Sequence, residues 1–340
     1  MKIIVDAMGG DYAPKEQILG AVKAAKELDV DIILCGREED IKRELEASGE
    51  DIGRIEIHNC TEVVENEDDP IRGVRRKKDS SLVVGMKLLH EGKADAIVTS
   101  GNTGAVIAAA VFELGRIKGI SRPAIAPMLP TIPGKPLLLL DSGANAICTP
   151  DNLLGFAIMG SHYMENILGI ENPKVGLVNI GVEEKKGTPL TKETYQLLKT
   201  ADVNFAGNLE ARQIPHGDVD IAVTDGFTGN VILKLMEGMG EFMKSALKGI
   251  LMKNTITKLS ALTMAGGLKE FKKKFDVKEH GGAPILGVDG MVVKAHGNSD
   301  AKAFCAAIRQ AKKAVETDLL NKIKTAVEGS DLKDGAEEDL

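Results

Sequence analysis

Short apolar runs recur along the chain, separated by polar turns and by stretches with helical periodicity. The runs at Ile3–Asp6, Ile32–Cys35, Ile55–His58, Ala96–Thr99, Leu137–Asp141, Val175–Ile180 and Ile221–Thr224 read as strands. Several are apolar at successive positions rather than alternating, the pattern of strands covered on both faces. Each leads through a turn rich in Gly, Asn or Ser into a helical stretch. This alternation predicts an α/β fold, a largely parallel sheet with helices on both faces. Ligands of such sheets sit beyond the carboxyl ends of the strands. Those ends carry DAMGGD, TSGNTG, DSGAN, NIGVEEKKGT and TDGFTGN, and the chemistry is expected there.

Two segments depart from the pattern. Residues 244–278 are rich in Lys, Leu, Ile and Met; Ile256, Leu259, Leu262 and Thr263 fall at helical spacing, with Lys253 and Lys258 off that face. Gly266 and Gly267 break the pattern before a basic FKKKF. The segment reads either as a helical hairpin packed on the core or on a partner, or as a protruding amphipathic element lying in a membrane interface. It belongs to a single domain over 1–330, and residues 331–340 form an acidic, flexible tail.

Composition narrows the function classes. A hydrophobic fraction of 43% and a charged fraction of 27% are those of an ordinary soluble globular protein. Aromatics at 3% with no Trp leave no platform for stacking bases, and a net charge of −7 disfavours nucleic acid as a partner. Cys35, Cys60, Cys148 and Cys305 form no C-x-x-C pair and read as reduced thiols. No His, Cys or Asp cluster has metal-ligand spacing, so no metal is expected. The first residues, MKIIVDAMGG, run straight into a strand pattern and no apolar run reaches spanning length, which predicts a cytoplasmic location.

The most informative feature is a repeat. DAIVTSGNTGAVI (95–107) and DIAVTDGFTGNVI (220–232) share one frame, a strand, a Gly- and Thr-rich turn and a second apolar stretch. Free backbone N–H groups at the opening of a helix suit a phosphate, and the hydroxyls of Thr99, Thr103, Thr224 and Thr228 can add hydrogen bonds. Gly and Thr also build tight turns that bind nothing; two matching corners, with DSGAN at a third strand end, favour a ligand site. The sequence lacks G-x-x-x-x-G-K-[ST], and no G-x-G-x-x-G follows the first strand, so neither a nucleotide kinase nor a dehydrogenase is expected, and no cofactor.

DAMGGD, TSGNTGA, LLLLDSGAN, VNIGVEEKKGT, GNLEAR, DIAVTDGFTGNVILK and GGAPILGVDGMVVKAHGNSD occur in this order. With these motifs the chain resembles the bacterial phosphate acyltransferase family over nearly everything before the tail. The resemblance implies transfer of a long-chain fatty acyl group from acyl carrier protein to inorganic phosphate. The acyl phosphate would then serve a downstream membrane glycerol-3-phosphate acyltransferase in phospholipid synthesis. It also implies a homodimer and an isocitrate/isopropylmalate dehydrogenase-like fold shared with phosphotransacetylases.

That reaction needs a held phosphate, a polarised thioester carbonyl and an outlet for the leaving thiolate. For the phosphate, the second corner (Asp225, Gly226, Thr228, Gly229, Asn230) with Lys185 or Lys186 is the candidate. Asp225 would position Lys185 or Asn230, or accept a phosphate proton. Asn102 and the backbone of Thr103 are candidate oxyanion donors. His296 is the candidate proton donor to the thiolate, oriented by Asn298 and Ser299. An acidic carrier protein requires a local basic patch, and Arg72, Arg75, Arg76 and Lys77 supply one, FKKKF another. Ile256, Leu259 and Leu262 would meet the inner face of the cell membrane as a peripheral contact. The rivals are a short-chain phosphotransacylase acting on acyl-CoA, a metal- and nicotinamide-dependent dehydrogenase of similar fold, and a non-catalytic membrane scaffold.

Overall fold

The computed structural model describes residues 1–50, 53–268, 281–330 and 332. Twelve strands form two sheets among these residues. The first contains β1 (Lys2–Asp6), β2 (Asp31–Gly36), β3 (Ile55–Asn59), β4 (Ala96–Thr99), β5 (Ala124–Ile125), β11 (Ala283–Leu286) and β12 (Val292–Lys294), in the order β3-β2-β1-β4-β12-β11-β5. The second contains β6 (Met128–Leu129), β7 (Leu137–Leu140), β8 (Val175–Asn179), β9 (Phe205–Glu210) and β10 (Ile221–Val223), in the order β6-β7-β10-β8-β9. Antiparallel pairing is confined to β11 with β12, β11 with β5, and β6 with β7; the other pairs are parallel.

The continuous apolar runs are explained by coverage on both faces. Ile3 and Val5 of β1 belong to one buried core cluster and Ile4 to another. Leu138 and Leu140 of β7 join the first of these, whereas Leu137 and Leu139 join a third. One core layer is therefore shared by both sheets, and each sheet has a separate outer layer. Each buried Ile, Leu or Val in these layers contributes about 1.5–3 kcal/mol of transfer free energy.

The α/β class and the parallel pairing match the sequence reading, but the single expected sheet is two. The reading also misses five strands, for local reasons. β9 carries Gly207 at φ 98 and is held by parallel pairing to β8. β11 contains Pro284, and β5, β6 and β12 are too short to show a period. Gly266 and Gly267 do not end helicity either: the helix Thr255–Thr263 is followed by a turn at Met264, and 265–268 are helical again. FKKKF (271–275) and, apart from Leu332, the tail 331–340 lie outside the described residues.

The consequence for function lies in the strand order. β4, which enters the first repeated corner, stands between β1 and β12. β10, which enters the second, stands between β7 and β8. Each corner is thus the middle of three adjacent strand ends.

Candidate active site

At the first corner a buried carboxylate organises the turn. Asp6 ends β1; its Oδ1 accepts from Ser81 Oγ at 2.6 Å and from the Met8 amide at 3.2 Å, and its Oδ2 accepts from Thr99 Oγ1 at 2.7 Å. Thr99 Oγ1 in turn accepts from the Gly101 amide at 3.0 Å. Burial pushes the Asp6 carboxyl above its ordinary range, and these hydrogen bonds pull it back. Gly10, at φ +101, lets the DAMGGD loop close on Ser100, and the Asp11 amide donates to the Gly297 carbonyl at 2.9 Å. The loops after β1, β4 and β12 are thereby tied together.

Asn102 is the N-cap of the helix Thr103–Glu113: its Oδ1 accepts from the Ala105 amide at 3.2 Å, and its Nδ2 donates to the Asn66 carbonyl at 3.5 Å. The β12 loop brings in His296, whose side chain is half exposed, with Nε2 3.7 Å from Glu237 Oε1. His296 Nδ1 accepts from the Asn298 backbone amide at 3.4 Å, and the Ser299 amide donates to the His296 carbonyl at 3.0 Å. Asn298 and Ser299 do adjoin His296, through their backbone.

The structure adds a residue that the sequence reading passed over. Lys294 ends β12, in register with Thr99, and its part-buried Nζ donates to the Ala295 carbonyl at 3.2 Å. Burial, reinforced by the Lys234 ammonium, holds the Lys294 amine down to about 8, against the pull of Asp11 and Glu237. Lys234 Nζ lies 2.8 Å from Glu237 Oε2. The available signal was a lysine closing a Val-Val run immediately before AHGNSD.

The second corner is built around Asp141, which follows β7. Its Oδ1 accepts from the amides of Ile125, Gly143 and Ala144 at 3.0, 3.2 and 3.1 Å. Its Oδ2 accepts from the amide and Nδ2 of Asn145 at 2.7 and 3.0 Å. Burial raises this carboxyl too, against the same hydrogen bonds. The glycines of the corner are explained by packing: a Cβ on Gly226 would come 2.6 Å from the Asn145 carbonyl oxygen and from Asp141 Oδ2. Asp225 caps the helix Gly226–Leu251, its Oδ1 accepting from the Thr228 amide and its Oδ2 from Thr228 Oγ1, both at 2.8 Å. Both oxygens are thus engaged locally. Asn230 is exposed, next to Gly143.

Lys185 and Lys186 are exposed in the loop after β8, where Asn179 Nδ2 donates to the Lys186 carbonyl at 3.2 Å. β8 pairs with β10 up to Leu177 and Val223, so this loop flanks the second corner. The two corners are linked by one helix. Gly226–Leu251 begins in the second, and Lys234 and Glu237 meet the first about 12–16 Å further along its axis.

The basic helix Pro70–Arg76 abuts the first corner, since a Cβ on Gly104 would sit 2.9 Å from Pro70 Cγ. Arg72, Arg75 and Arg76 are exposed, with the Arg75 guanidinium 4.9 Å above the Phe112 ring. Lys77 turns inward, 2.5 Å from Asp68 Oδ2 and donating to the Val63 carbonyl at 2.8 Å. Beyond Ile232, Leu233 and Met236, the helix Gly226–Leu251 runs clear of the core clusters. Phe227, Val231, Leu235, Met239 and Phe242 leave an exposed apolar stripe along it. Ile256 and Leu259, 78% and 66% exposed, continue the apolar surface on Thr255–Thr263; Leu262 occupies the same helix, its side chain outside the described set. Among the described residues no helix is long and apolar enough to cross a membrane.

Comparison with known proteins gives the family and a likeness of fold. A family model described as fatty acid synthesis protein matches residues 1–322. A phosphate acyltransferase of Alkaliphilus oremlandii is 54% identical over 327 residues, covering 96% of this chain and 97% of its own. One of Clostridium tetani is 51% identical, covering 95% and 97%. Among solved structures, a phosphotransacetylase from Streptococcus pyogenes superposes with a TM-score of 0.61 at 18% identity, covering 92% of this chain and 94% of its own, a likeness of fold. The chain therefore belongs to the fatty acid synthesis protein family represented by these phosphate acyltransferases, and it is an enzyme of the acyltransferase class.

Proposed function

We propose that this enzyme moves a long-chain fatty acyl group from acyl carrier protein to inorganic phosphate, giving acyl phosphate for phospholipid synthesis. The observation that carries the reading is the pairing of two corners, each central to three strand ends and joined by one helix. The first turn of Gly226–Leu251, with Thr228, Asn230 and the neighbouring Lys185 and Lys186, takes the phosphate. The first corner, with Asn102 and the Thr103 backbone, takes the thioester carbonyl, and the β12 loop with His296 lies beside the departing thiolate. Phosphate is already a competent nucleophile, so holding it against the carbonyl supplies much of the rate without a covalent enzyme intermediate.

The basic helix beside the first corner supports an acidic carrier as acyl donor. The exposed stripe on Gly226–Leu251 supports a second copy of the chain packed against it as a homodimer. The outer apolar residues from Ile250 to Met264 support a peripheral contact with the inner face of the cell membrane, where a membrane glycerol-3-phosphate acyltransferase would consume the product.

The test is incubation of the purified protein with palmitoyl-acyl carrier protein and inorganic phosphate, with hydroxylamine trapping of acyl phosphate. Phosphate-dependent release of the carrier thiol with trapped product is expected. Thiol release without acyl phosphate would make the protein a thioesterase, and turnover with acetyl-CoA alone would make it the short-chain enzyme. Lys185→Ala or Lys186→Ala should raise KM for phosphate by about tenfold, the cost of one charge-assisted contact.

A further inference from the structure

We propose that Lys294 is the acid that protonates the departing thiolate. This rests on the phosphate acyltransfer reading above and assigns the proton path within it.

The placement carries the argument. Lys294 is the last residue of β12, paired in register with Thr99, the residue that supports the first corner. Three charged side chains from two other elements act on its amine: Lys234 and Glu237 from the helix that begins in the second corner, and Asp11 from the loop after β1. Glu237 also reaches the loop that follows Lys294, 3.7 Å from His296 Nε2. The amine therefore stands where the elements of both corners meet. By contrast His296 is half exposed, and its Nδ1 already accepts from the Asn298 amide, leaving Nε2 toward Glu237.

The chemistry requires an unusual lysine, and this one qualifies. A thiol leaving group has an ordinary pKa near 8.5, so a lysine at its usual value of about 10.4 would be a poor donor. An acid matched to the thiol and to neutral pH transfers its proton with little cost. Burial and Lys234 lower the Lys294 amine to about 8, while Asp11 and Glu237 keep it charged at neutral pH.

The step balances without any further reactant. An oxygen of HPO₄²⁻ attacks the carbonyl carbon; the C–O bond forms, the C–S bond breaks, and its electron pair goes to sulfur. Lys294 Nζ gives a proton to sulfur, releasing the free thiol. The acyl phosphate gives up its remaining proton to solvent and the neutral amine is recharged from solvent, leaving the acyl phosphate dianion and a restored ammonium.

The decisive measurement uses the unmodified enzyme. Turnover is followed against pH with two acyl donors of one chain length, an alkyl thioester of pantetheine and an aryl thioester whose thiolate leaves without a proton. Turnover of the alkyl donor should fall about tenfold per unit above pH about 8, with no such limb for the aryl donor. Lys294→Met should lose about 100-fold or more on the alkyl donor and less than about tenfold on the aryl one, and Lys294→Arg should behave likewise. A shared alkaline limb in the unmodified enzyme, or equal losses on both donors in folded variants, would overturn the assignment. Donor discrimination lost in His296→Asn but kept in Lys294→Met would transfer the role to the imidazole. If the unmodified enzyme makes no acyl phosphate from either donor, the functional reading itself fails.

Discussion

A Cβ placed on Gly229 would land on the carbonyl oxygen of Asp141, so the helix Gly226–Leu251 and the loop after β7 touch backbone to backbone. Gly229→Ala must therefore separate the two and displace the second corner. The expected cost is about 1–3 kcal/mol of stability, together with weakened phosphate use. Gly238 lies further along the same helix with nothing within 4 Å of an added Cβ. Gly238→Ala should stabilise by about 0.5–1 kcal/mol through helix propensity. Thermal unfolding of the pair distinguishes close approach from flexibility as the reason for glycine at 229.

Thr99 both donates to Asp6 and accepts from Gly101. Thr99→Val keeps the shape and removes both bonds, with an expected loss of about 1–3 kcal/mol. The pH dependence has a definite sign. The folded pKa of Asp6 is raised, so the stability that this group contributes is fully present below its unfolded value of 3.8 and is lost as pH rises through the folded value. The Thr99 hydrogen bond favours the ionised form. The gap between Thr99→Val and the parent should therefore be larger at neutral than at mildly acid pH in urea titrations. A gap that narrows on neutralisation would contradict the assignment.

Asn102 combines two roles that substitution can separate. Asn102→Asp retains the oxygen that accepts from Ala105 and loses the Nδ2 donor. Asn102→Ala loses both, with a capping cost of about 1 kcal/mol. If Nδ2 serves the oxyanion, Asn102→Asp should keep the parent's melting temperature and lose turnover, with KM nearly unchanged. Full turnover in the Asp variant would reduce Asn102 to a cap.

The basic helix predicts a salt-sensitive carrier interaction. Charge reversal at Arg75 and Arg76 should raise KM for the acylated carrier by about tenfold at low ionic strength, and less as salt increases. Lys77→Ala should act differently, lowering the melting temperature by releasing Asp68, because this lysine points inward. Steady-state kinetics at two salt concentrations, beside thermal melts, separate the cases.

For the outer helix, Leu259→Glu should abolish sedimentation with anionic vesicles while leaving turnover of a soluble carrier substrate mostly intact. Equal vesicle binding by parent and variant would remove the membrane from the account.

How far the sequence could be read depended on the range of the determining interaction. The repeated corner was legible because a strand, a capping residue and a glycine turn are written within a dozen consecutive residues. Its strands did become β4 and β10, and its capping residues Asn102 and Asp225 do open helices. The division into two sheets was not legible, because β12 joins β4 across most of the chain length and nothing local in VVK announces it. Lys294 stayed hidden for the same reason. Its character comes first from burial and then from Lys234, Asp11 and Glu237, none of them near it in sequence. The glycines at 226 and 229 belong to the candidate phosphate corner, and the structure shows them first as room for Asp141 and Asn145.

The helix Gly226–Leu251 has a mechanical consequence. At 26 residues it is a stiff rod about 39 Å long, anchored at its inner end by Asp141 and Asn145. Lys234 and Glu237 lie within its first half, between that anchor and the exposed outer turns. One rigid element thus spans the second corner and the surroundings of Lys294, so a substitution that shifts its inner end, such as Gly229→Ala, carries Lys234 and Glu237 with it.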